Sequence, residues 1–112
     1  MMKRLEIYWT ELEKKGSIQG GLRPCLLVSN NLACQHSPTL IVVPITTAAK
    51  KRLPTHMNIT NVLKSKSIIL FEQLITINKE QLINKITDMP TYYEEEVNKK
   101  IEISLGLCPA FA

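Results

Sequence analysis

The sequence predicts a mainly β protein with some α structure: a small, partly open barrel of short strands, packed by a C-terminal amphipathic helix. Two observations lead to this prediction. Short apolar or alternating runs recur between loops marked by glycine or proline, and the last apolar stripe has helical spacing. The chain has 112 residues, which is enough for one hydrophobic core, so we expect a single domain over residues 1–112.

The first half of the chain contains two kinds of strand pattern. Residues 5–11 mix aromatic, β-branched and polar side chains with enough alternation for a half-buried strand. Residues 24–29 are continuously apolar, which is typical of a strand in the middle of a sheet. The polar residues 30–38 between this run and the next predict a loop.

Residues 39–45 form the second continuous apolar run and predict another buried strand. Pro44 lies near its end. Because proline has no N–H to donate, this strand should end, bulge or lie at a sheet edge there. The strand therefore delivers Thr46 and Thr47 to a loop.

The second half predicts two more strands and two helices. Residues 55–60 alternate, and residues 67–71 are apolar and end at Glu72-Gln73. Asn78 and Gln81 have the spacing of a capping box, which predicts a short helix there. Thr91 and Glu94 form a clearer box. The helix that follows has an apolar residue at every fourth position: Tyr93, Val97, Ile101 and Leu105.

The charges are unevenly distributed along the chain. Residues 14–71 contain eight basic residues and no Asp or Glu, although the whole chain carries only +4. An asymmetry of this kind is typical of a polyanion-binding surface, and the alternative is a solvated basic face without a partner. No apolar run reaches the length of a membrane span, and the N-terminus is not a signal peptide, so we expect a cytoplasmic protein without membrane contact.

A glycine-rich stretch, Gly16-Ser-Ile-Gln-Gly-Gly-Leu-Arg-Pro24, lies between two predicted strands. Glycines allow tight turns and close approach, and the guanidinium of Arg23 presents a planar set of donors that fits phosphate oxygens. A phosphate-binding loop is one interpretation. The other is a hairpin loop whose arginine pairs with a carboxylate.

Metal-dependent and nucleotide-hydrolysing chemistry have little support in the sequence. The three cysteines show no Cys-x-x-Cys spacing and predict reduced thiols, and a metal shared by Cys34, His36 and His56 would lack a fourth ligand. Neither a carboxylate cluster nor a phosphate-loop motif occurs. His36 and His56 are the usual residue type for acid–base catalysis, but each stands alone.

Seven short motifs, in order along nearly the whole chain, resemble the MazF/PemK (EndoA-type) toxins of bacterial type II toxin–antitoxin systems. They are Glu6-Ile-Tyr-Trp, the glycine-rich stretch, Leu27-Val-Ser-Asn30, Ser37-Pro-Thr39, Val43-Pro-Ile-Thr46, Leu53-Pro-Thr-His56 and Glu72-Gln73. The resemblance implies the SH3-like plasmid-maintenance-toxin fold and a homodimer. It also implies a metal-independent, cofactor-free, sequence-specific endoribonuclease that cleaves single-stranded RNA (mRNA) and leaves a 2′,3′-cyclic phosphate and a 5′-hydroxyl.

The resemblance also implies roles for individual residues. Arg23 would take part in proton transfer and charge stabilisation, although its permanent charge favours the electrostatic role, and Thr46 would help to hold the scissile phosphate. Mobile loops suit the reading of splayed bases, and the candidate RNA-binding residues are Ser17, Gln19, Gly20, Gly21, Thr47, Lys50, Lys51, Arg52, Glu72 and Gln73. The family's partner is an antitoxin with an acidic, disordered tail, which the basic part of this chain would attract.

Some positions depart from the family pattern. Ile75 and Asn78 stand where an arginine and an aspartate are common, Leu5 replaces a glycine, and Ile18 replaces an acid. Losing a cation near the RNA groove would weaken binding or change its sequence preference. Two alternatives therefore stay open: a catalytically weak or inactive relative that binds RNA or antitoxin only, and a gyrase-inhibitor-like toxin of the same fold.

Overall fold

The computed structural model describes residues 2–48 and 51–110. The strands of this part of the chain are β1 (Glu6–Leu12), β2 (Gly21–Leu27), β3 (Thr39–Thr46), β4 (His56–Ile59), β5 (Ser67–Leu70), β6 (Ile75–Asn78) and β7 (Leu82–Asp88). The helices are α1 (Asn31–His36) and α2 (Glu94–Ser104), and 3₁₀ turns cover Phe71–Gln73, Lys79–Gln81 and Thr91–Tyr93. The prediction of a mainly β protein with a C-terminal helix is confirmed.

The strands form one antiparallel sheet in the order β4-β5-β3-β2-β1-β7, with β6 paired to β3 beside this path. The outermost strands β4 and β7 do not pair with each other in the described residues, so the sheet is open. Strand β3 pairs with β2 on one side and, on the other side, with two different strands in turn. Its residues 39–42 pair with β6, and its last two residues pair with β5.

Pro44 lies between these two sets of pairs. On its other side it is opposite Cys25 of β2, and β3 continues through it to Thr46. A proline is tolerated here because β3 changes partner at this position. The strand therefore does not end at Pro44, and its last residue is a candidate catalytic residue.

Hydrophobic clusters cover both faces of the central strands. Leu26 and Val43 belong to a cluster under α2 that is built around Phe71, whereas Leu27 and Val42 belong to a cluster on the opposite face. Successive residues of a strand point to opposite faces, so a strand buried on both sides must be continuously apolar. This explains the runs at 24–29 and 39–45.

Two predicted boundaries were wrong. Strand β2 begins at Gly21, before Pro24, so Arg23 lies in a strand and not in the loop. The expected loop at 30–38 contains α1, which begins after Asn30, whose side chain accepts a hydrogen bond from the Ala33 N–H. A six-residue helix has too few turns to show a helical period.

Strands β6 and β7 were not predicted. Strand β6 has only four residues, and β7 is an edge strand with two register shifts against β1 and no regular alternation of burial. The capping box of Asn78 and Gln81 is confirmed and opens the 3₁₀ turn Lys79–Gln81.

Helix α2 is confirmed, but its predicted cap was wrong. The Thr91 side chain makes no capping hydrogen bond, and a 3₁₀ turn leads into the helix instead. At the other end, Gly106 adopts φ +75°, and the N–H groups of Gly106 and Leu107 bond back to Ile103 and Glu102. This is a Schellman motif, and the left-handed conformation explains the glycine.

Candidate active site

A cleft of 510 Å³ lies where β1, β2 and β3 meet the segment between β4 and β5. We call it the Arg23 cleft. Its lining residues are Trp9, Leu22, Arg23, Pro24, Ile45, Thr46, Thr47, Leu63, Lys64, Ser65, Ser67 and Ile86. Both predicted catalytic residues therefore line one surface, although they are far apart in sequence. Among the described residues, the lining contains two cations and no carboxylate.

Arg23 is half-buried and lies opposite Thr10 of β1. Its Nε donates a hydrogen bond to the Gly20 carbonyl oxygen at 3.1 Å. Over residues 2–48 and 51–110 its guanidinium makes no ion pair with a carboxylate, which argues against the purely structural interpretation of this arginine. The outer nitrogens of the guanidinium can therefore meet an anion in the cleft.

Thr46 is the last residue of β3 and is only 6 % exposed. Its Oγ1 donates to the Ala48 carbonyl oxygen and accepts from the Ala48 N–H, both at 3.2 Å. These two bonds fix the oxygen at the wall of the cleft. Thr47 follows in a bend and is exposed beside it.

The segment 13–20 joins β1 to β2 and forms a tight hairpin. Lys15 bridges to Ile18, Ser17 is exposed in the turn between them, and Gly16 has φ +56°. A Cβ on Gly20 would overlap the Lys14 backbone, so the two sides of the hairpin pack main chain to main chain. The hairpin contacts Arg23 through the Gly20 carbonyl.

Gln73 contacts this hairpin. Its Oε1 accepts a hydrogen bond from the Gln19 N–H at 2.9 Å. Of the predicted RNA-binding residues Gln19, Gly20, Gly21 and Gln73, Gly20 contacts Arg23 directly and Gln73 contacts Gln19. None of the four lines the cleft itself.

Glu72 is held in a different network. Its carboxylate accepts from Thr55 Oγ1 at 2.9 Å and lies 3.0 Å from His56 Nε2. The Leu53 N–H donates to His56 Nδ1 at 3.3 Å, so Nδ1 is unprotonated and Nε2 carries the hydrogen that faces Glu72. Glu72 therefore fixes the start of β4.

The predicted basic segment is divided. Lys50 lies outside the described residues, Lys51 is exposed, and Arg52 lines a second cavity of 410 Å³ with His56 and Lys100. Neither Lys51 nor Arg52 lines the Arg23 cleft.

No group of three or more His, Cys, Asp or Glu side chains in the described ranges could hold a metal ion. His36 is exposed on α1, and His56 is engaged with Glu72. The cysteines are free, as predicted, with Cys25 and Cys34 buried and Cys108 half-buried. No described helix has the length and apolar character that crossing a membrane requires.

Several residues of the Arg23 cleft were missed in the sequence. The sequence pattern shows Lys64 only as one of the basic residues between 14 and 71. It shows Trp9, which is 40 % exposed in the structure, only as part of a strand. An exposed tryptophan near a cation is a feature of nucleic-acid-binding surfaces, but the alternation of β1 alone does not show which side Trp9 faces.

Two departures from the family pattern share another groove. Ile18 and Ile75 both line an open groove of 340 Å³ beside β6, separate from the Arg23 cleft. Ile75 is half-buried and packs against the second core cluster. The two residues that replace an acid and an arginine are therefore both apolar and lie at the same surface.

Comparison with known proteins identifies the family. The protein-family model described as PemK-like, MazF-like toxin of type II toxin-antitoxin system matches residues 3–105 of this chain. The endoribonuclease MazF of Staphylococcus saprophyticus is 40% identical, and the alignment covers 96% of this chain and 93% of that protein. The endoribonuclease EndoA of Bacillus subtilis is 38% identical over 96% of this chain and 97% of its own length.

Solved structures show the same fold. An endoribonuclease in complex with its cognate antitoxin from Mycobacterial species superposes with a TM-score of 0.82 at 21% identity, over 96% of this chain and 98% of that one. MazF from Deinococcus radiodurans gives a TM-score of 0.81 at 20% identity, over 94% and 96% of the two chains. The sequence matches and this common fold agree, and the chain belongs to the PemK-like, MazF-like toxins of type II toxin–antitoxin systems.

Proposed function

We propose that this chain is a sequence-specific, metal-independent endoribonuclease toxin that cleaves single-stranded RNA in the Arg23 cleft. Relatives about 40% identical over nearly the whole chain carry the name endoribonuclease. The observation that carries the proposal is that Arg23, free of any carboxylate in the described residues, lines the same cleft as Thr46.

The reaction is an internal transfer at phosphorus. The 2′-oxygen of the nucleotide forms a bond to phosphorus while the bond from phosphorus to the 5′-oxygen breaks. The 2′-hydroxyl gives up its proton, and the departing 5′-oxygen gains one, so the products are a 2′,3′-cyclic phosphate and a 5′-hydroxyl. Negative charge on the non-bridging oxygens increases in the transition state and must be stabilised.

Arg23 supplies this stabilisation. Its Nε is held by Gly20, which leaves the outer nitrogens to donate to the non-bridging oxygens. Thr46 supplies a neutral donor. The Ala48 N–H keeps Oγ1 in place, so the hydroxyl hydrogen can rotate from the Ala48 carbonyl to a phosphate oxygen.

RNA binding follows from the charges around the cleft. Lys64 adds a second cation, and Trp9 offers an aromatic face for a base. The hairpin with Ser17, Gln19, Gly20 and Gly21 contributes main-chain and amide groups for reading bases, and Thr47 extends this surface. Gln73 supports the hairpin through its hydrogen bond with the Gln19 N–H. Glu72 and Arg52 contribute less directly, because the Glu72 carboxylate is bonded to Thr55 and His56 and Arg52 lines the second cavity.

The protein acts as a cytoplasmic homodimer and is neutralised by an acidic antitoxin. Membership of a type II toxin–antitoxin family supports the antitoxin, and the cations of the Arg23 cleft supply complementary charge. Sedimentation equilibrium tests the dimer, which should have twice the 12.7 kDa mass of one chain.

The test uses a long single-stranded transcript in excess chelator. Wild-type protein should give discrete fragments with cyclic phosphate ends. Arg23→Ala should lower kcat by about 100- to 1,000-fold, and Thr46→Val by about 10- to 100-fold, because each removes a donor to the transition state. Lys99→Ala also removes one positive charge, but at an exposed position on α2, so it is the control and should cleave normally.

The alternative is a silent relative that binds RNA without cleaving it, and Ile75 in place of a cation is the observation that favours it. Salt-dependent RNA binding with an intact transcript would support the alternative and exclude the enzyme. Fragments whose amount does not respond to Arg23→Ala would instead show that the cleft has been wrongly assigned.

A further inference from the structure

We infer that Gln73 is a positioning residue for Arg23, acting through the hairpin 13–20 and not by contact with RNA. The inference rests on the proposed function for its catalytic consequence. Its structural part concerns three connected groups: the Gln73 side chain, the main chain of Gln19-Gly20 and the Arg23 guanidinium.

The hairpin has few attachments. Two side-chain hydrogen bonds connect residues 13–20 to the rest of the described chain: Gln19 N–H to Gln73, and Gly20 carbonyl to Arg23. The Gln19 side chain does not add a third, because its Oε1 is buried without a partner among the described residues. In the described chain, the Gln73 bond is therefore the one side-chain hydrogen bond that holds the hairpin to an element other than β2.

These two bonds are on consecutive residues. Gly20 packs against the Lys14 backbone, so the hairpin is closed and a shift at Gln19 must also shift the Gly20 carbonyl. That carbonyl holds Arg23 Nε at 3.1 Å and so sets the direction of the guanidinium. Loss of the Gln73 bond would thus reach Arg23 without any contact between the two side chains.

Gln73 lies in a 3₁₀ turn that is bonded to neighbouring elements. It ends the 3₁₀ turn whose first residue, Phe71, is fully buried. The Phe71 carbonyl accepts from Ser104 Oγ of α2 at 2.7 Å, and its N–H donates to the Thr55 carbonyl at 3.1 Å. Glu72 adds its bonds to Thr55 and His56. A group anchored to α2 and β4 can hold a hairpin that has little core of its own.

The experiment separates positioning from direct RNA contact with two variants. Gln73→Met keeps the side-chain length but removes the acceptor for the Gln19 N–H. Gln73→Glu keeps an acceptor oxygen, now that of a carboxylate, but removes the NH₂ group that a base contact would use. Gln35→Met, at an exposed position on α1, is the control for the substitution itself.

Both variants are measured for RNA cleavage at saturating substrate and for amide hydrogen exchange at Gln19 and Gly20, together with the Arg23 Nε–H resonance. Gln73→Met should lower kcat by about 10- to 100-fold with little change in KM, because a misplaced catalytic group costs rate more than binding. It should also speed exchange at Gln19 and shift the Arg23 resonance. Gln73→Glu should keep both signals and a kcat within about threefold of wild type, although its negative charge raises KM.

The inference is overturned if Gln73→Met leaves the Gln19 exchange rate and the Arg23 resonance unchanged, or if Gln73→Glu loses as much kcat as Gln73→Met. A wild-type protein that cleaves no RNA would refute the proposed function instead. In that case the exchange and resonance measurements still decide whether Gln73 positions Arg23.

Discussion

Lys85 Nζ lies 2.8 Å from a carboxylate oxygen of Glu6, which joins the edge strand β7 to a carboxylate that is only 3 % exposed. Glu6 also accepts hydrogen bonds from the Lys3 N–H at 2.7 Å and the Tyr8 hydroxyl at 3.0 Å. Burial raises the pKa of Glu6, but these bonds outweigh it and hold the pKa below the usual value. Burial and the bond to Glu6 raise the pKa of Tyr8 to about 12.

Glu6 should therefore stabilise the fold at neutral pH and lose this effect in acid. A carboxyl whose pKa is lower in the folded state contributes stability above its unfolded pKa, and the contribution disappears as pH falls through the folded pKa. Glu6→Gln should lower the free energy of unfolding by about 1–3 kcal/mol at pH 7 and by less at pH 3. Urea melts at both pH values measure this. Glu11→Gln, exposed on the same strand, should change neither melt, and an equal loss for the two variants would contradict the prediction.

The three thiols should differ in reactivity. Burial raises the pKa of Cys25 to about 12, and burial also raises the pKa of Cys34, whereas Cys108 is half-buried. With a thiol reagent at pH 8, Cys108 should react first and Cys25 at least about 100-fold more slowly, because its reaction needs local opening. Cys108→Ser should leave the native protein nearly unreactive. Fast labelling of Cys108→Ser would mean that the core near Cys25 opens readily.

The same burial of Cys25 predicts a loss of stability in alkali. A group whose folded pKa is raised contributes stability below its unfolded pKa, near 8.5 for a thiol, and loses it as pH rises toward the folded value. Cys25→Ala should therefore show a shallower decline of the free energy of unfolding between about pH 9 and pH 11 than wild type. Parallel slopes for the two proteins would contradict this.

Leu5 is a buried residue with φ +74°, a conformation that costs a leucine or an alanine but not a glycine. Leu5→Ala and Leu5→Gly both lose core contacts. Glycine normally lowers stability by about 0.5–1 kcal/mol relative to alanine, but here the relief of strain should make Leu5→Gly at least as stable as Leu5→Ala. Thermal melts of the two Leu5 variants measure this. Leu26→Ala and Leu26→Gly, within β2, are the controls, and there the glycine variant should be the less stable of the two.

Lys64 should contribute one ionic contact to RNA. If a phosphate is bound near it in the Arg23 cleft, Lys64→Ala should reduce the slope of log K against log salt by about 0.7 for single-stranded RNA. Lys99→Ala, outside the cleft, should leave the slope unchanged. Equal slopes for all three proteins would show that RNA passes Lys64 at a distance.

Gly20 should be required by close packing. Gly20→Ala places a Cβ into the Lys14 backbone, so the hairpin must open and the Arg23 bond must lengthen. We expect cleavage to fall by about 10- to 100-fold. Gly16→Ala, with open space around its Cβ but φ +56°, should cost about 1 kcal/mol of stability and leave cleavage nearly unchanged. Similar activity loss in both variants would mean that hairpin strain, and not the Gly20 contact, controls Arg23.

The sequence by itself determined the fold class, the buried strands and the identity of the family. Continuous apolar runs at 24–29 and 39–45 predicted strands buried on both faces, and the apolar stripe through Val97 predicted α2. These predictions were possible because the spacing of apolar residues is a local property of the chain. The motifs around Arg23 and Thr46 were also local. Three elements were not predictable in the same way: the six-residue α1, the four-residue β6 and the irregular edge strand β7. Their structure depends on contacts with neighbouring elements and not on their own sequence pattern.

Only the tertiary structure decided which candidate residues meet. It brought Arg23, Thr46 and the unpredicted Lys64 to one cleft and connected Gln73 to the hairpin. It left Glu72 bonded to Thr55 and Arg52 at a second cavity. The physical reason is that these contacts join residues far apart in sequence. Their distances depend on how the strands pair and on which side each chain segment leaves the sheet, and no local pattern contains that information.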